Sequence, residues 1–393
     1  MMIHQRSRRV LDALFATQFL IAGTTGLAQT VGDSEGRLSA RADIAVPFAL
    51  LPFTGNPHAA EAQANNVVVY AAWEGPALIN GIPWGFKVID GDIVVPGDAD
   101  GPAATYSTSV WPGGVVPYEF DANVTMANAL AMIDAMKEWE SVAVIDFTPR
   151  SGESSFIHIQ NNTFNNSKVG NQVFGQIINI TNWDQKFVMA HELGHALGYW
   201  HEQSRGDRDN FVTINTVNIC QNCCQQSDGS MGPCKFNFQI ENSAASYGPY
   251  DFDSVMHYGR CFFSTNGAVC GATCPALWET LTVKDPYRTE WHCGNPPVDN
   301  TFVGQQTHLS YWDKVVMSFI YPRPNWRFQS SVRGADFFNA SFFTPLRSFS
   351  AGYGDTPIGG TLWLLDPSTI AVGPVLDKPM TIGAPLGGVI LTR

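Results

Sequence analysis

His191-Glu192-Leu193-Gly194-His195-Ala196-Leu197-Gly198-Tyr199-Trp200-His201-Glu202 is the stretch from which this chain is best read. On a helix of 3.6 residues per turn, His191 and His195 stack on one face, so both imidazoles can reach one metal ion. Glu192, beside the first histidine, can reach the space in front of that ion. Gly198 can enter the left-handed region that stops a helix, and the turn brings His201 to the same point. Three protein ligands leave one coordination position open, which marks a catalytic rather than a structural zinc site. The competing reading is an amphipathic helix that merely carries histidines. With nine histidines in 393 residues, five fixed positions rarely coincide by chance, and one Zn2+ is the expected cofactor.

Around this motif the composition bounds what the protein can be. A hydrophobic content of 45% and aromatics of 12% predict packed domains rather than disorder, and the length allows two or three of them. The net charge of −12 argues against a nucleic-acid or anionic-membrane partner. Arg6, Arg8 and Arg9 precede an apolar run over 13–22 and small residues ending Gly26-Leu27-Ala28. That order predicts a secretory signal peptide over 1–28. The alternative, a membrane anchor, fails on length, because a span needs about 20 apolar residues.

All eight cysteines, Cys220, Cys223, Cys224, Cys234, Cys261, Cys270, Cys274 and Cys293, crowd into one region. In an exported chain this predicts a local disulfide framework whose connectivity is not readable; a second, thiolate-bound zinc is the other possibility.

Along the chain, residues 29–101 are rich in Ala, Gly and Pro and end in the acidic turn Gly97-Asp98-Ala99-Asp100-Gly101, a natural boundary. A helix is expected from a Thr125 cap to about Ser141, with Met126, Leu130, Ile133, Met136 and Trp139 as its core stripe. Strands are expected at 156–159 and 175–180, with His158 packed or hydrogen-bonded within the first. The polar run 161–171 between them reads as a loop or edge strand that could wall an extended peptide. The motif helix is expected over 183–199, and a second capped helix begins after Ser310.

Beyond the histidines, 201–215 (HEQSRGDRDNFVTIN) and 250–258 (YDFDSVMHY) resemble the astacin family of metzincin endopeptidases at nearly every position, and 110–118 resembles the start of its mature enzymes. The resemblance covers about 105–322. It implies an α+β fold: an upper lobe with a twisted sheet and helices, and an irregular lower lobe. It also implies an inhibitory propeptide (29–101) and a catalytic domain (102–324), which the signal peptide (1–28) precedes and a small all-β extension (325–393), read from short apolar strands between Gly/Pro turns, follows.

By position, His191, His195 and His201 would bind zinc, Glu192 would be the general base, and Met256 would floor the site. Tyr258 would be an additional, movable zinc ligand that also serves catalysis. The family's propeptides block zinc with an aspartate, and Ile89-Asp90-Gly91-Asp92-Ile93 looks similar, making Asp92 the implied inhibitory ligand. Glu202 would receive the ammonium of the processed N-terminus, near residues 102–105. No Lys or Arg flanks that boundary, which points to self-processing.

The family's usual cysteines before the zinc helix are missing, so its disulfide pairing cannot be transferred. The implied function is a secreted zinc endopeptidase made as a zymogen, acting on proteins or peptides, inhibited by its own propeptide and not inserted in membranes. The tail, with Gly359 to Leu364 and Asp377 to Ile390, resembles rungs of a parallel β-helix. Two other readings stand beside this one: an adhesion protein working through its tail with a degenerate zinc domain, and a metzincin of another branch.

Overall fold

A computed structural model describes residues 68–96 (without 84 and 90), 109–266 (without 173, 226–230 and 241–245), 277–288, 303–371 and 378–392 (without 387 and 388). The expected signal peptide, the boundary at 97–108, and Cys270, Cys274 and Cys293 lie outside the described residues. Two compact units are present, one ending at Arg323 and one beginning at Pro324.

The first unit is built on strands that read as apolar runs because both their faces are covered. Strands β5 (Val115–Phe120), β6 (Asp146–Pro149), β7 (Ile157–Asn161) and β8 (Gln176–Ile180) pair in the order β6-β5-β7-β8, every pair parallel. Preceding them, β1 (Leu78–Ile79) and β2 (Ile82–Pro83) form one antiparallel hairpin, and β3 (Phe86–Ile89) and β4 (Ile93–Pro96) a second. Ile89 stands opposite Ile93, so the turn between them carries Gly91 at φ +81° and Asp92.

Helix α1 (Met126–Glu140) starts where Thr125 accepts a hydrogen bond from the Asn128 amide. Its buried face differs from the expected stripe. Met126 and Leu130 are exposed, while Ala129, Met132, Ile133, Ala135, Met136 and Trp139 are buried. Two alanines on that face let the neighbouring helix come close, and this outweighs burying the longer side chains one position away.

That neighbour is α2 (Lys186–Leu197), the histidine helix, which begins three residues later than the sequence predicts, at an N-cap Gln185 whose side chain makes no capping bond. The indole of Trp139 donates to the Ala190 carbonyl at 2.8 Å and that of Trp111 to the Ala196 carbonyl at 2.8 Å. Buried indole N–H groups need acceptors, so these bonds set the helix's position as well as packing against it.

Beyond α2 the chain is mostly turns. β9 (Val212–Ile214) pairs with β12 (Leu281–Val283), while β10 (Cys224–Gln225) and β11 (Met231–Gly232) form a short ribbon. Disulfides Cys220–Cys223 and Cys224–Cys234 staple the ribbon region, and Cys261 is also disulfide-bonded. These thiols are therefore not zinc ligands. Helix α3 (Tyr311–Ile320) opens on the predicted Ser310, with a reciprocal capping box to Asp313.

In the second unit, β13 (Trp326–Gln329), β14 (Thr361–Leu364) and β16 (Thr381–Gly383) make a parallel sheet, and β15 (Thr369–Ala371) pairs in parallel with β17 (Ile390–Thr392). Thr361 lies opposite Thr381 and Thr369 opposite Ile390, so a coil of about 20 residues stacks on the next, as in a short solenoid. Leu362, Leu364, Ile370, Ile382 and Val389 fill its core. The unit is not purely β: α4 (Phe349–Asp355), capped by Ser348, covers one side of that core with Phe349.

Candidate metal centre

Helix α2 carries His191, Glu192 and His195 into the interior, where each is at most 5% exposed. Gly198, at φ +121°, ends the helix as expected, and its amide closes on the His195 carbonyl. The chain then returns, so that the fully buried His201 meets the other two rings.

The outer ring nitrogens are already committed. His191 Nδ1 lies 2.8 Å from the Val255 carbonyl and His195 Nδ1 2.8 Å from the Tyr199 carbonyl. A carbonyl only accepts, so in both rings the proton sits on Nδ1 and the Nε2 lone pair faces inward. His191 Nε2 is 3.1 Å from His195 Nε2 and 3.3 Å from His201 Nε2. Converging lone pairs repel unless a cation lies between them. A tetrahedron with zinc–nitrogen bonds near 2.0–2.1 Å has edges of about 3.3 Å, so the nitrogen spacing fits zinc.

Asp92 completes the group. Its carboxylate oxygens stand 3.3 Å from His191 Nε2, 3.6 Å from His195 Nε2 and 3.1 Å from His201 Nε2. Ligand atoms of Asp92, His191, His195 and His201 all fall within 4.8 Å of one another. Burial works to raise the Asp92 pKa, but the charge of His201 and the close contact with all three imidazoles outweigh it and hold the carboxyl well below its usual range. Glu192 goes the other way: burial, then the negative charge of Asp92, push its pKa well up. Among the described residues, Glu192 Oε2 is buried without a hydrogen-bond partner, as is Asp92 Oδ1. Such orphaned oxygens beside three converging imidazole nitrogens suit an ion and its water.

The remaining predicted residues surround this cluster. Met256 is buried beneath α2, and a Cβ added at Gly194 would lie 2.9 Å from its sulfur and 3.2 Å from Trp139. Glycine there lets the helix sit between those two side chains without displacing either. Tyr258 is 1% exposed, with its ring centroid 4.4 Å from that of His201. Its hydroxyl lies against Gly91, where an added Cβ would be 2.5 Å away. The turn bearing Asp92 is thus wedged between Tyr258 and the histidines.

Glu202 lies apart from the histidine cluster. It accepts from Arg205 Nη1 at 3.0 Å and from the Asp251 amide at 2.8 Å. Asp251 and Asp313 join it around a cavity of about 30 Å³, room for one water or a small cationic group. Burial raises the pKa of all three carboxyl groups. The roles of Asp251 and Asp313 were not legible from spacing. The available signal was the Ser310-x-x-Asp313 capping box: Asp313 also accepts from Ser254 Oγ at 2.6 Å and the Val255 amide at 2.9 Å, fixing the turn that holds Met256.

The polar run expected as a loop or edge strand forms an edge. Asn166 bridges antiparallel to Asn179 of β8, and Ser167 bridges parallel to Ile93. Ser167 N donates to the Asp92 carbonyl at 2.8 Å and Val94 N to the Ser167 carbonyl at 2.8 Å. The N-terminal hairpin therefore occupies the sheet edge that runs past the histidines. His158, as expected, is packed and hydrogen-bonded, at 2.9 Å from Glu119 Oε1 and 3.3 Å from Asp121 Oδ2.

The family model described as Astacin, a peptidase family, matches residues 103–279. The chain is 41% identical over 166 residues to Tolloid-like protein 1 of Mus musculus, a match covering 41% of this chain but 16% of that protein. It is 30% identical over 249 residues to astacin-like metalloprotease toxin 1 of Loxosceles intermedia, covering 61% of this chain and 83% of the relative. Among solved structures, high choriolytic enzyme 1, a hatching enzyme zinc-protease from Oryzias latipes, aligns at 27% identity and a TM-score of 0.43, covering 55% of this chain and 94% of that one.

Proposed function

The chain belongs to the astacin family of zinc peptidases, and from that premise we propose that it is a secreted zinc endopeptidase held latent by Asp92. The observation that carries this reading is the convergence of the three imidazole Nε2 atoms on the Asp92 carboxylate, with the orphaned Glu192 oxygen alongside. His191, His195 and His201 would hold the ion, with Asp92 in the position a substrate and water must occupy. Bound there, zinc supplies a Lewis acid that acidifies water and polarises a carbonyl.

Glu192 takes the proton of the attacking water and delivers it to the leaving amine; its burial and raised pKa suit a group that must alternately hold and release a proton. The Tyr258 hydroxyl, freed from Gly91 when the hairpin leaves, donates a hydrogen bond to the developing oxyanion. Glu202, Asp251 and Asp313 form an acidic pocket suited to the ammonium of a new N-terminus, at present met by Arg205. Secretion is supported by the signal-like residues 1–28 and by the disulfides, which persist in oxidising compartments.

The test is the processed enzyme with Glu192→Ala. It should retain one zinc per chain by metal analysis and lose casein hydrolysis by on the order of 10²-fold or more. Hydrolysis at the wild-type rate would remove Glu192 from the mechanism.

A further inference from the structure

Away from the metal, the N-terminal segment makes a second contact with the parallel sheet. Strand β6 ends at Pro149, opposite Tyr118 of β5, so β5 runs on past its neighbour. Residues 69–71 take the lane that β6 leaves. Phe120 N donates to the Val69 carbonyl at 2.8 Å and Ala71 N to the Phe120 carbonyl at 2.9 Å, with Tyr70 bridged in parallel to Phe120. The chain then lays the Trp73 ring against Phe156 and His158, at centroid distances of 6.2 and 5.4 Å. Trp73 Nε1 donates to the Pro76 carbonyl at 2.8 Å, and a Cβ added at Gly75 would lie 2.0 Å from the indole. Trp73-Glu74-Gly75-Pro76 is thus a turn folded over its own tryptophan.

The interactions holding this segment differ in strength. Glu74 lies 3.3 Å from Arg150 Nη2, but its side chain is 72% exposed, so water screens the pair and it contributes little. The strand edge and the indole contribute more, because Phe120, Phe156 and His158 beneath them are all buried. The platform is fixed from within the catalytic unit. Arg150 lies 3.4 Å over the Phe156 ring and bonds Glu119 at 2.9 Å, and Glu119 in turn holds His158. When the segment leaves, Phe120 loses both backbone partners and the aromatic shelf loses its cover, while the shelf itself stays in place. A surface already in its bound shape costs little to order when it binds again.

We propose that this vacated surface is an exosite of the processed enzyme, taking from a protein substrate an extended segment that ends in an aromatic turn like Trp73 to Pro76. This rests on the peptidase reading of the metal centre but concerns a separate place. From the 69–71 lane across β5, β7, β8 and Asn166–Ser167 to Ile93 there are five strand spacings, about 24 Å. The strand edge recognises backbone and the shelf recognises the aromatic ring. A substrate held there presents its scissile bond at a raised local concentration, with no change in the chemistry.

The experiment compares two quenched fluorescent substrates of the processed enzyme. Both carry one cleavable sequence, and one also carries the segment Val68 to Pro76 on a Gly/Ser linker of about 20 residues, whose average reach of about 25 Å matches the span. The tethered substrate should show a KM lower by on the order of tenfold at unchanged kcat. Replacing the tryptophan of the appended segment by alanine should remove the gain. Phe156→Ala in the enzyme should remove it too, with the plain substrate cleaved at the wild-type rate. Equal KM values for the two substrates in the wild type overturn the inference without recourse to any variant, as does a gain that survives loss of the tryptophan. The free segment should compete with the tethered substrate alone; equal inhibition of the plain one would place it in the cleft and overturn the exosite. A released N-terminal segment that copurifies with the processed enzyme would also overturn it, since the surface would never open. Failure to cleave either substrate overturns the peptidase reading itself, and this inference with it.

Discussion

At the scale of single residues, two positions turn geometry into measurable consequences. Gly91 has φ +81°, and an added Cβ would fall 2.5 Å from the Tyr258 hydroxyl and 2.5 Å from Phe263. Gly91→Ala must therefore push the Asp92 turn away from the histidines or strain its backbone. The uncut chain carrying it should show raised basal peptide hydrolysis, several-fold above uncut wild type, while the processed enzyme, which lacks residue 91, should be unchanged. Equal rates for the two uncut chains would mean the turn tolerates the methyl group.

Glu140 offers a pH signature away from the metal. Burial lifts its pKa from 4.5 to about 7, although it accepts a 2.9 Å bond from the Phe147 amide, and its Oε2 has no partner among the described residues. A carboxyl group whose folded pKa lies above its unfolded one destabilises the fold once it ionises. The loss sets in as pH rises from about 4.5 and is complete above about 7. Glu140→Gln keeps the acceptor and removes the charge. It should stabilise the protein by on the order of 2 kcal/mol at pH 8, and by little near pH 4, in denaturant melts. A pH-independent difference would contradict the assignment.

At the scale of elements, local rules carried far in some places and stopped in others. Thr125 and Ser310 were legible as helix caps because a side-chain oxygen followed by a periodic apolar stretch is a local signal. The face of α1 was not. Met126 and Leu130 continue the period as well as Ala129 and Met132 do, and only the closeness of α2 decides between them. The histidine ligand set was legible because helical spacing and one glycine generate it.

The carboxylate pocket of Glu202, Asp251 and Asp313 was not legible as a unit, since it joins three distant segments. Asp92 is intermediate: its candidacy came from a short resemblance, and its location among the imidazoles is a property of the β3–β4 hairpin docking on Ser167. The parallel coil after residue 324 was foreshadowed by its Gly-flanked apolar runs, whereas α4, only seven residues long, has too little periodicity to stand out.

At the scale of the whole molecule, the buried histidine cluster is closed from the N-terminal side by the β3–β4 hairpin. The hairpin engages the substrate edge with its backbone, the histidines with Asp92 and Lys168 with Phe86. Removing that segment should therefore free the metal site and the sheet edge in one event, and a new N-terminus can then settle against Glu202. The most direct measurement of this central claim is the peptide hydrolysis rate of the uncut chain with Asp92→Ala, compared with uncut wild type, both loaded with one equivalent of zinc. The expected result is a silent wild type and a variant active at on the order of a tenth of the processed rate or more, with activity abolished by a zinc chelator. An Asp92→Ala chain as silent as wild type, alongside a fully active processed enzyme, would contradict it.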